Sequence, residues 1–190
     1  NDTHPALAIP EMMRVLINEH EVAYEEAWGL VTGCFAYTNH TVMSEALETW
    51  SLEMMEAVLP WWAWRACVRV SITQIIFDIN WSFMQLVQRE FQHDPALLEI
   101  MGATSIFTND ANKRVRKLVR RDVQVQMAHL CVIGSHVVNG VSELHTRILR
   151  ESVFRRFEQV TPGKIINITN GITPRRWLLQ CNPCADHLFA

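Results

Sequence analysis

The sequence lacks the features that would place it in a membrane or outside the cell. No apolar run among its 190 residues reaches the roughly 18 residues of a membrane-spanning helix. The N-terminus lacks the basic-then-apolar profile of a secretory signal. The five cysteines are an odd number and lie mostly within apolar runs, which fits a reducing compartment better than a disulfide framework. We therefore predict a cytoplasmic protein with no membrane partner.

An excess of charge of one sign is also absent. The 17 basic and 20 acidic residues leave a net charge of −3, so the overall charge does not favour binding to nucleic acid. The single basic run, residues 113–121, contains no interleaved aromatic residues, and we interpret it as a solvated surface. The alternative is a nucleic-acid-binding module, which would bind with a steep salt dependence. Residue 1 is not methionine, and we expect an internal piece of a longer protein.

The sequence contains a mixture of helical and strand patterns within the size of one domain. Apolar residues at helical spacing and capping residues predict helices over residues 11–17, 24–31, 52–58, 72–91, 95–101, 127–132, 139–150 and 175–181. A further helix start is predicted at Glu45. Strands are predicted at residues 34–38 and 165–169. The fold class is α/β and predominantly helical.

Three polar clusters predict a ligand site. One follows the first strand at residues 38–41, and the others are residues 1–5 and 169–177. Open α/β proteins build their ligand crevices at such strand ends. If the three clusters converge, they form a site rich in Asn, Asp, His and Glu that suits a polyhydroxylated ligand.

Several of these polar residues also have a purely structural interpretation. Asp2 and His4 precede a helix and can cap it. His40 can be a core histidine bonded to backbone, and Glu45 gains from the dipole of a helix N-terminus. Asn170, followed by glycine, is a strong turn signal. These alternatives remain open at the level of single residues.

Cys181 and Cys184 form a C-x-x-C pattern. A redox role would place this pattern at the N-terminus of a helix in a thioredoxin-like unit, whereas here it follows a predicted helix. A zinc site would need a second pair of ligands, and the other cysteines and histidines lack that spacing. We predict no metal site.

Four long segments resemble the α-glucan phosphorylases, the family of glycogen, starch and maltodextrin phosphorylases. The segments are residues 1–10, 35–42, 127–141 and 169–178, and their order and approximate spacing agree with the family. Four long motifs in register are far more specific than any short pattern above.

The resemblance implies a pyridoxal 5'-phosphate enzyme that cleaves the terminal α-1,4 link of a glucan with inorganic phosphate and releases glucose 1-phosphate. It also implies a two-domain, Rossmann-like fold of GT-B type. Residues 1–168 would end the N-terminal domain, and residues 169–190 would start the cofactor-binding domain. Members of the family are commonly homodimers.

The resemblance also implies roles for single residues. His40 and Asn170 match the residues that contact the glucosyl unit at the catalytic subsite. Trp177 matches a tryptophan near the cofactor. The other matched positions are implied to bind substrate: Asp2, His4, Thr41, Glu45 and Thr173.

The sequence departs from the family pattern at several places. Residues 61–73, with three tryptophans in four positions, and residues 117–126 are interpreted as insertions. Ser44 stands where the family has proline, and Cys184 where it has glycine. The lysine that forms the Schiff base in the family lies in a segment absent from this sequence. We therefore expect the chain alone to be inactive, and the alternative is a non-catalytic remnant or a weak glucan-binding fragment.

Overall fold

The computed structural model describes residues 1–59, 70–108 and 123–182, which form a mixed α/β fold. The helices are α1 (Ala8–Asn18), α2 (Tyr24–Cys34), α3 (Leu52–Val58), α4 (Ile72–Phe91), α5 (Pro95–Met101), α6 (Met127–Gly134), α7 (Glu143–Ile148), α8 (Arg155–Val160) and α9 (Pro174–Cys181). The strands are β1 (Ala36–Thr38), β2 (Thr49–Ser51), β3 (Gln124–Gln126), β4 (Val137–Gly140) and β5 (Ile165–Asn167).

Three short parallel strands form the sheet that organises the polar clusters. The order is β1-β4-β5, so β4 is central. Tyr37 pairs with Val138, and Val138 pairs with Ile165 on the other side. These three side chains are almost completely buried, so the sheet passes through the core.

A second, antiparallel pair joins β2 to β3, with Trp50 opposite Val125. Val125 is fully buried, and it also forms an isolated bridge with Phe107. Residues 123–126 are thereby part of the packed fold. Residues 61–69 and 117–122 of the expected insertions, and the whole basic run at 113–121, lie outside the described residues.

The core is built from α1, α2, α4 and α6 packed around the parallel sheet. Seven of the eight residues of α6 are buried, including Gly134 at its end. A Cβ placed on Gly134 would lie 2.7 Å from Cγ2 of Ile9. Glycine therefore permits the close approach of α6 and α1.

The helical stripe of α4 was predicted correctly. Ile75, Ile76, Ile79 and Val87 are buried at helical spacing, and the helix runs from Ile72 to Phe91 as expected. Ser71 caps it by accepting a hydrogen bond of 3.2 Å from the N–H of Gln74. The predicted helices at α2, α3, α5, α6 and α9 and both predicted strands are also present.

Three local predictions were wrong. The helix expected over residues 139–150 begins only at Glu143, because residues 137–140 are the central strand β4. The helix expected at Glu45 is a single 3-10 turn, Ser44–Ala46. The first helix begins at Ala8 and not at Glu11, so Pro10 lies in its first turn, where its missing N–H costs no helical bond.

Candidate functional site

The carboxyl ends of β1, β4 and β5 lie side by side because the strands are parallel. The N–H of Asn39 donates to the carbonyl of Asn139 at 3.0 Å, and that of Ile168 donates to the carbonyl of Gly140 at 3.1 Å. We call residues 38–41, 139–141 and 167–170 the polar edge. Two of the three predicted clusters contribute to it.

The third cluster, residues 1–5, is attached to the polar edge by two direct contacts. The N–H of Asp2 donates to the carbonyl of Thr38 at 2.8 Å, and Nε2 of His40 donates to Oδ1 of Asn1. Asp2 has a φ of 55°, in the left-handed region that Asp tolerates better than most residues. The structure therefore brings the N-terminal cluster and the end of β1 together.

Asp2 does not cap α1. The residue before that helix is Leu7, and no side chain caps it. Oδ1 of Asp2 instead accepts a hydrogen bond of 2.7 Å from the N–H of Thr3. The hydroxyl of Thr3, which is buried, donates to Oε2 of Glu48. Two carboxylates are thus held at this end of the site.

Two buried asparagines hold the polar edge together. Asn39 is fully buried; its Nδ2 donates to the hydroxyl of Tyr37 at 3.0 Å, and its Oδ1 accepts from the N–H of Thr41 at 3.0 Å. Oδ1 of Asn139 accepts from the hydroxyl of Thr38 at 2.7 Å. These amides satisfy buried polar groups that would otherwise destabilise the edge.

Asn170, which follows β5, is bonded through its backbone to the residue that follows β4. Its N–H donates to the carbonyl of Val141 at 2.9 Å, and its side chain is exposed. The N–H of Val141 donates to Nδ1 of His145 at 3.1 Å. A chain of two hydrogen bonds therefore connects the His145 imidazole to the backbone of Asn170.

Four further predicted site residues lie on neighbouring segments and are exposed: His4, Glu45, Thr173 and Trp177. His40 is also exposed, so it is not a core histidine. Trp177 is 54% exposed, on a helix with no buried residue. Within the described ranges, no hydrogen bond joins the other three to the polar edge: His4, Glu45 and Thr173.

The core beneath the site is apolar, and two ionisable groups buried in it, the Tyr37 hydroxyl and the Cys131 thiol, stay neutral. Burial raises the pKa of the Tyr37 hydroxyl, and the hydrogen bond from Asn39 partly offsets this. Burial is the main reason that the pKa of the Cys131 thiol is raised to about 12; the positive charge of the amino group of residue 1 lowers it, and Asp2 and Glu48 contribute smaller increases. Cys131 is therefore a protonated thiol at neutral pH and not a nucleophile.

A comparison with protein families matches all of residues 1–190 to the model described as "Phosphorylase: Carbohydrate phosphorylase". The chain belongs to the carbohydrate phosphorylase family. It is 43% identical over 191 residues to a glycogen phosphorylase of Saccharomyces cerevisiae, and 42% identical over 190 residues to the liver form of glycogen phosphorylase of Homo sapiens. Each match covers 100% of the chain.

The chain spans about a fifth of the length of these relatives, 19% of the yeast protein and 20% of the human one. The brain form of glycogen phosphorylase of Bos taurus is 45% identical over 186 residues, with 96% of this chain and 19% of that protein covered. The family is thus established, and the chain corresponds to a limited part of a phosphorylase.

Several residues at the polar edge and bonded to it were not predicted from the sequence. Asn139 is the last residue but one of the central strand, and Thr3, Glu48 and His145 bond to residues of the site. The signal for Asn139 was an Asn-Gly pair after two valines, which parallels the Asn170-Gly171 pair. Thr3 lies within the predicted polar cluster of residues 1–5 but was given no role, and no comparable pattern marks Glu48 or His145.

The described part of the chain contains no group of three or more His, Cys, Asp and Glu residues that could hold a metal ion. None of its helices is both long and apolar enough to cross a membrane. Cys34, Cys131 and Cys181 are free thiols. Cys184, the second cysteine of the C-x-x-C pattern, lies outside the described residues.

Proposed function

We propose that the protein containing this chain is an α-1,4-glucan phosphorylase and that the chain supplies one wall of its glucosyl site. The protein would transfer terminal glucosyl units to inorganic phosphate and form glucose 1-phosphate. The supporting observation is the attachment of Asn1 and Asp2 to His40 and Thr38 at the carboxyl edge of the parallel sheet. Family membership supports the same proposal.

The chemistry of this wall is hydrogen bonding to sugar hydroxyls. The exposed imidazole of His40 donates through Nε2, which is bonded to Oδ1 of Asn1 and can transfer that bond to a hydroxyl. The exposed amide of Asn170 can donate and accept, and the carboxylate of Asp2 accepts. Such groups, fixed before the ligand arrives, stabilise a glucosyl unit and discriminate against analogues that lack a hydroxyl.

The proposed assignments for substrate are His40 and Asn170 at the catalytic subsite. The remaining residues proposed to lie near the glucan are Asp2, His4, Thr41, Glu45 and Thr173. Thr41 has a defined place, because its N–H bonds to Asn39 and its Oγ1 accepts from the N–H of Met43 at 3.1 Å.

In this proposal Trp177 would form one part of the surroundings of pyridoxal 5'-phosphate. Trp177 presents an exposed indole on α9, which can pack against a pyridine ring. The only lysine among the described residues is Lys164, which precedes β5 at the opposite edge of the sheet. The amine for covalent attachment would therefore come from another part of the protein, and the cofactor would supply acid–base chemistry through its phosphate group.

The same proposal includes the architecture of the whole protein. Residues 1–168 would end the N-terminal domain of a two-domain, GT-B type fold, and residues 169–190 would start the cofactor-binding domain. The whole protein would be a cytoplasmic homodimer. The small parallel sheet, with its polar carboxyl edge, is compatible with a Rossmann-like domain.

The alternative is a non-catalytic remnant that binds glucan weakly. The chain spans about a fifth of the length of its relatives, and it would supply only one wall of the proposed site. The sequence of the transcript distinguishes the enzyme from the remnant. A reading frame that continues into a Gly-rich, lysine-bearing segment indicates the enzyme, and a stop codon after Ala190 indicates the remnant.

Titration calorimetry of the 190-residue chain with maltoheptaose tests the glucosyl wall. We expect weak binding that His40→Ala and Asn170→Ala each reduce. Thr49→Val, an exposed substitution in β2, is the matched control and should leave binding unchanged. Equal binding by all four proteins would refute the assignment of His40 and Asn170. We expect no glucose 1-phosphate from the isolated chain with glycogen and phosphate.

A further inference from the structure

A cavity lies at the amino edge of the parallel sheet, on the side opposite to the polar edge. Its volume is about 740 Å³, and it is bordered by α2, α4, the residues that lead into β4 and the turn before β5. One wall is apolar and aromatic, with Trp28, Phe83 and Leu86. The other wall is polar, with His136, Thr161 and Lys164. This combination, an apolar body with a few polar groups, is the usual composition of a small-molecule site.

Lys164 is a cation without a counter-ion among the described residues. Its Nζ lies 3.4 Å from the carbonyl oxygen of Ile133, near the end of α6, which is a long distance for a hydrogen bond. Among the described residues, no carboxylate lies within 4.0 Å of it. Burial lowers the pKa of Lys164 to about 8. The ammonium group is therefore poorly compensated, and an anion would stabilise it.

His136 supplies a second polar group in the cavity. Its Nδ1 lies 3.3 Å from the carbonyl oxygen of Thr32 in α2. A carbonyl oxygen can only accept, so Nδ1 carries the proton of this hydrogen bond. Nε2 is then the ring nitrogen available to a ligand. The side chain is exposed, so a ligand can reach it.

We propose that this cavity binds a small aromatic anion. The flat ring packs against Trp28 and Phe83, and the anionic group accepts hydrogen bonds from Lys164. Among the described residues, no aspartate or glutamate lines the cavity, so a cationic ligand would have no carboxylate partner from this part of the chain. A sugar is a poor match because its hydroxyls would face the apolar wall without partners. The proposal does not depend on the glucan site.

Binding of 1-naphthyl phosphate to the 190-residue chain tests the charge of Lys164. Charge-assisted hydrogen bonds are among the strongest single contacts, so we expect Lys164→Met to weaken binding about tenfold or more. Lys164→Arg keeps the charge and should bind within about threefold of the original chain. Unchanged binding by Lys164→Met would overturn the proposal.

Neutral 1-naphthol separates the anion site from a purely structural role of Lys164. Lysine near the end of a helix can simply bond its last carbonyl groups. If that is its only role, Lys164→Met weakens naphthol and naphthyl phosphate equally, and the proposal fails. We expect Lys164→Met to leave the binding of naphthol unchanged. The far-ultraviolet circular dichroism of each variant verifies that it is folded.

Amine modification gives a second readout on the unaltered chain. The sequence has three lysines, Lys113, Lys117 and Lys164, so trinitrobenzenesulfonate modification can be followed at each by mass spectrometry. We expect 1-naphthyl phosphate to slow the modification of Lys164 and to leave the other two rates unchanged. If 1-naphthyl phosphate changes the modification rate of none of the three lysines, binding at this cavity is contradicted.

Discussion

The hydroxyl of Thr38 donates a hydrogen bond of 2.7 Å to the side-chain oxygen of Asn139, across two neighbouring strands whose residues are paired in register. Thr38→Val keeps the shape of the side chain and leaves this buried amide oxygen without its donor. We expect the free energy of unfolding to fall by about 1–2 kcal/mol. Urea unfolding measures it. Thr49→Val is the control and should stay within about 0.5 kcal/mol of the original chain.

A pair of glycine substitutions should act in opposite directions. A Cβ on Gly140 would lie 2.4 Å from Oγ1 of Thr146 and 2.9 Å from its Cα, so backbone would have to move. We expect Gly140→Ala to destabilise the chain by about 1–3 kcal/mol. Gly29 lies within α2, and no atom of the described residues lies within 4 Å of its Cβ position, so Gly29→Ala should stabilise the chain by about 0.5–1 kcal/mol.

Thermal unfolding of the two glycine variants checks these expectations. The melting temperature should fall for Gly140→Ala and rise for Gly29→Ala. A stabilised Gly140→Ala variant would show that α7 does not approach the end of β4 as closely as the structure places it.

The capping serine of α4 is expected to stabilise the fold. Its hydroxyl bonds an N–H that has no partner within the helix, so Ser71→Ala should cost about 1 kcal/mol. Gln85→Ala, an exposed change inside the same helix, is the matched control. Urea midpoints compare the two. A Ser71→Ala midpoint equal to that of Gln85→Ala would exclude a stabilising cap.

The stability of the chain should depend on pH through His129. Burial lowers the pKa of this histidine below its ordinary value of 6.5, and nearby Arg156 lowers it further, whereas the bond to the carbonyl of Ser105 partly offsets both. The unfolded chain therefore binds a proton that the folded chain excludes. The contribution of His129 is complete above about pH 6.5 and is lost as the pH falls toward the folded pKa.

Urea unfolding at pH 7.5 and pH 5.5 measures the effect of His129. His129→Gln keeps an N–H donor for Ser105 but cannot take up a proton, so it should lose less stability than the original chain on acidification. His93→Gln changes an exposed histidine and should keep the original pH dependence. The same pH dependence in both variants would show that His129 is not the responsible group.

The long helices were predictable because their apolar residues recur over many turns. Twenty residues of α4 give a stripe that no strand can mimic. The four residues of β4 give no such signal. A short apolar run next to a helical pattern fits either structure, and its pairing with β1 and β5, far away in the chain, decides the outcome.

The site was predictable as a set of polar segments but not as a network. The Asn39-His40 pair after a strand and the Asn170-Gly171 pair were visible in the sequence. The bond from Thr38 to Asn139 and the bond from Thr3 to Glu48 join residues 101 and 45 positions apart. Local sequence patterns carry no information on such partners, so only the folded chain reveals them.

Because β4 is the central strand, the parallel sheet cannot begin to form during biosynthesis until β4 has been made. Residues 36–38 leave the ribosome about a hundred residues before their partner strand is made, and the third strand follows later still. Closing so long a loop is slow, and the edge of β1 stays open to pairing with other chains in the meantime. A nascent chain arrested before residue 137 would therefore need chaperone protection, whereas one that has released β5 can complete its sheet.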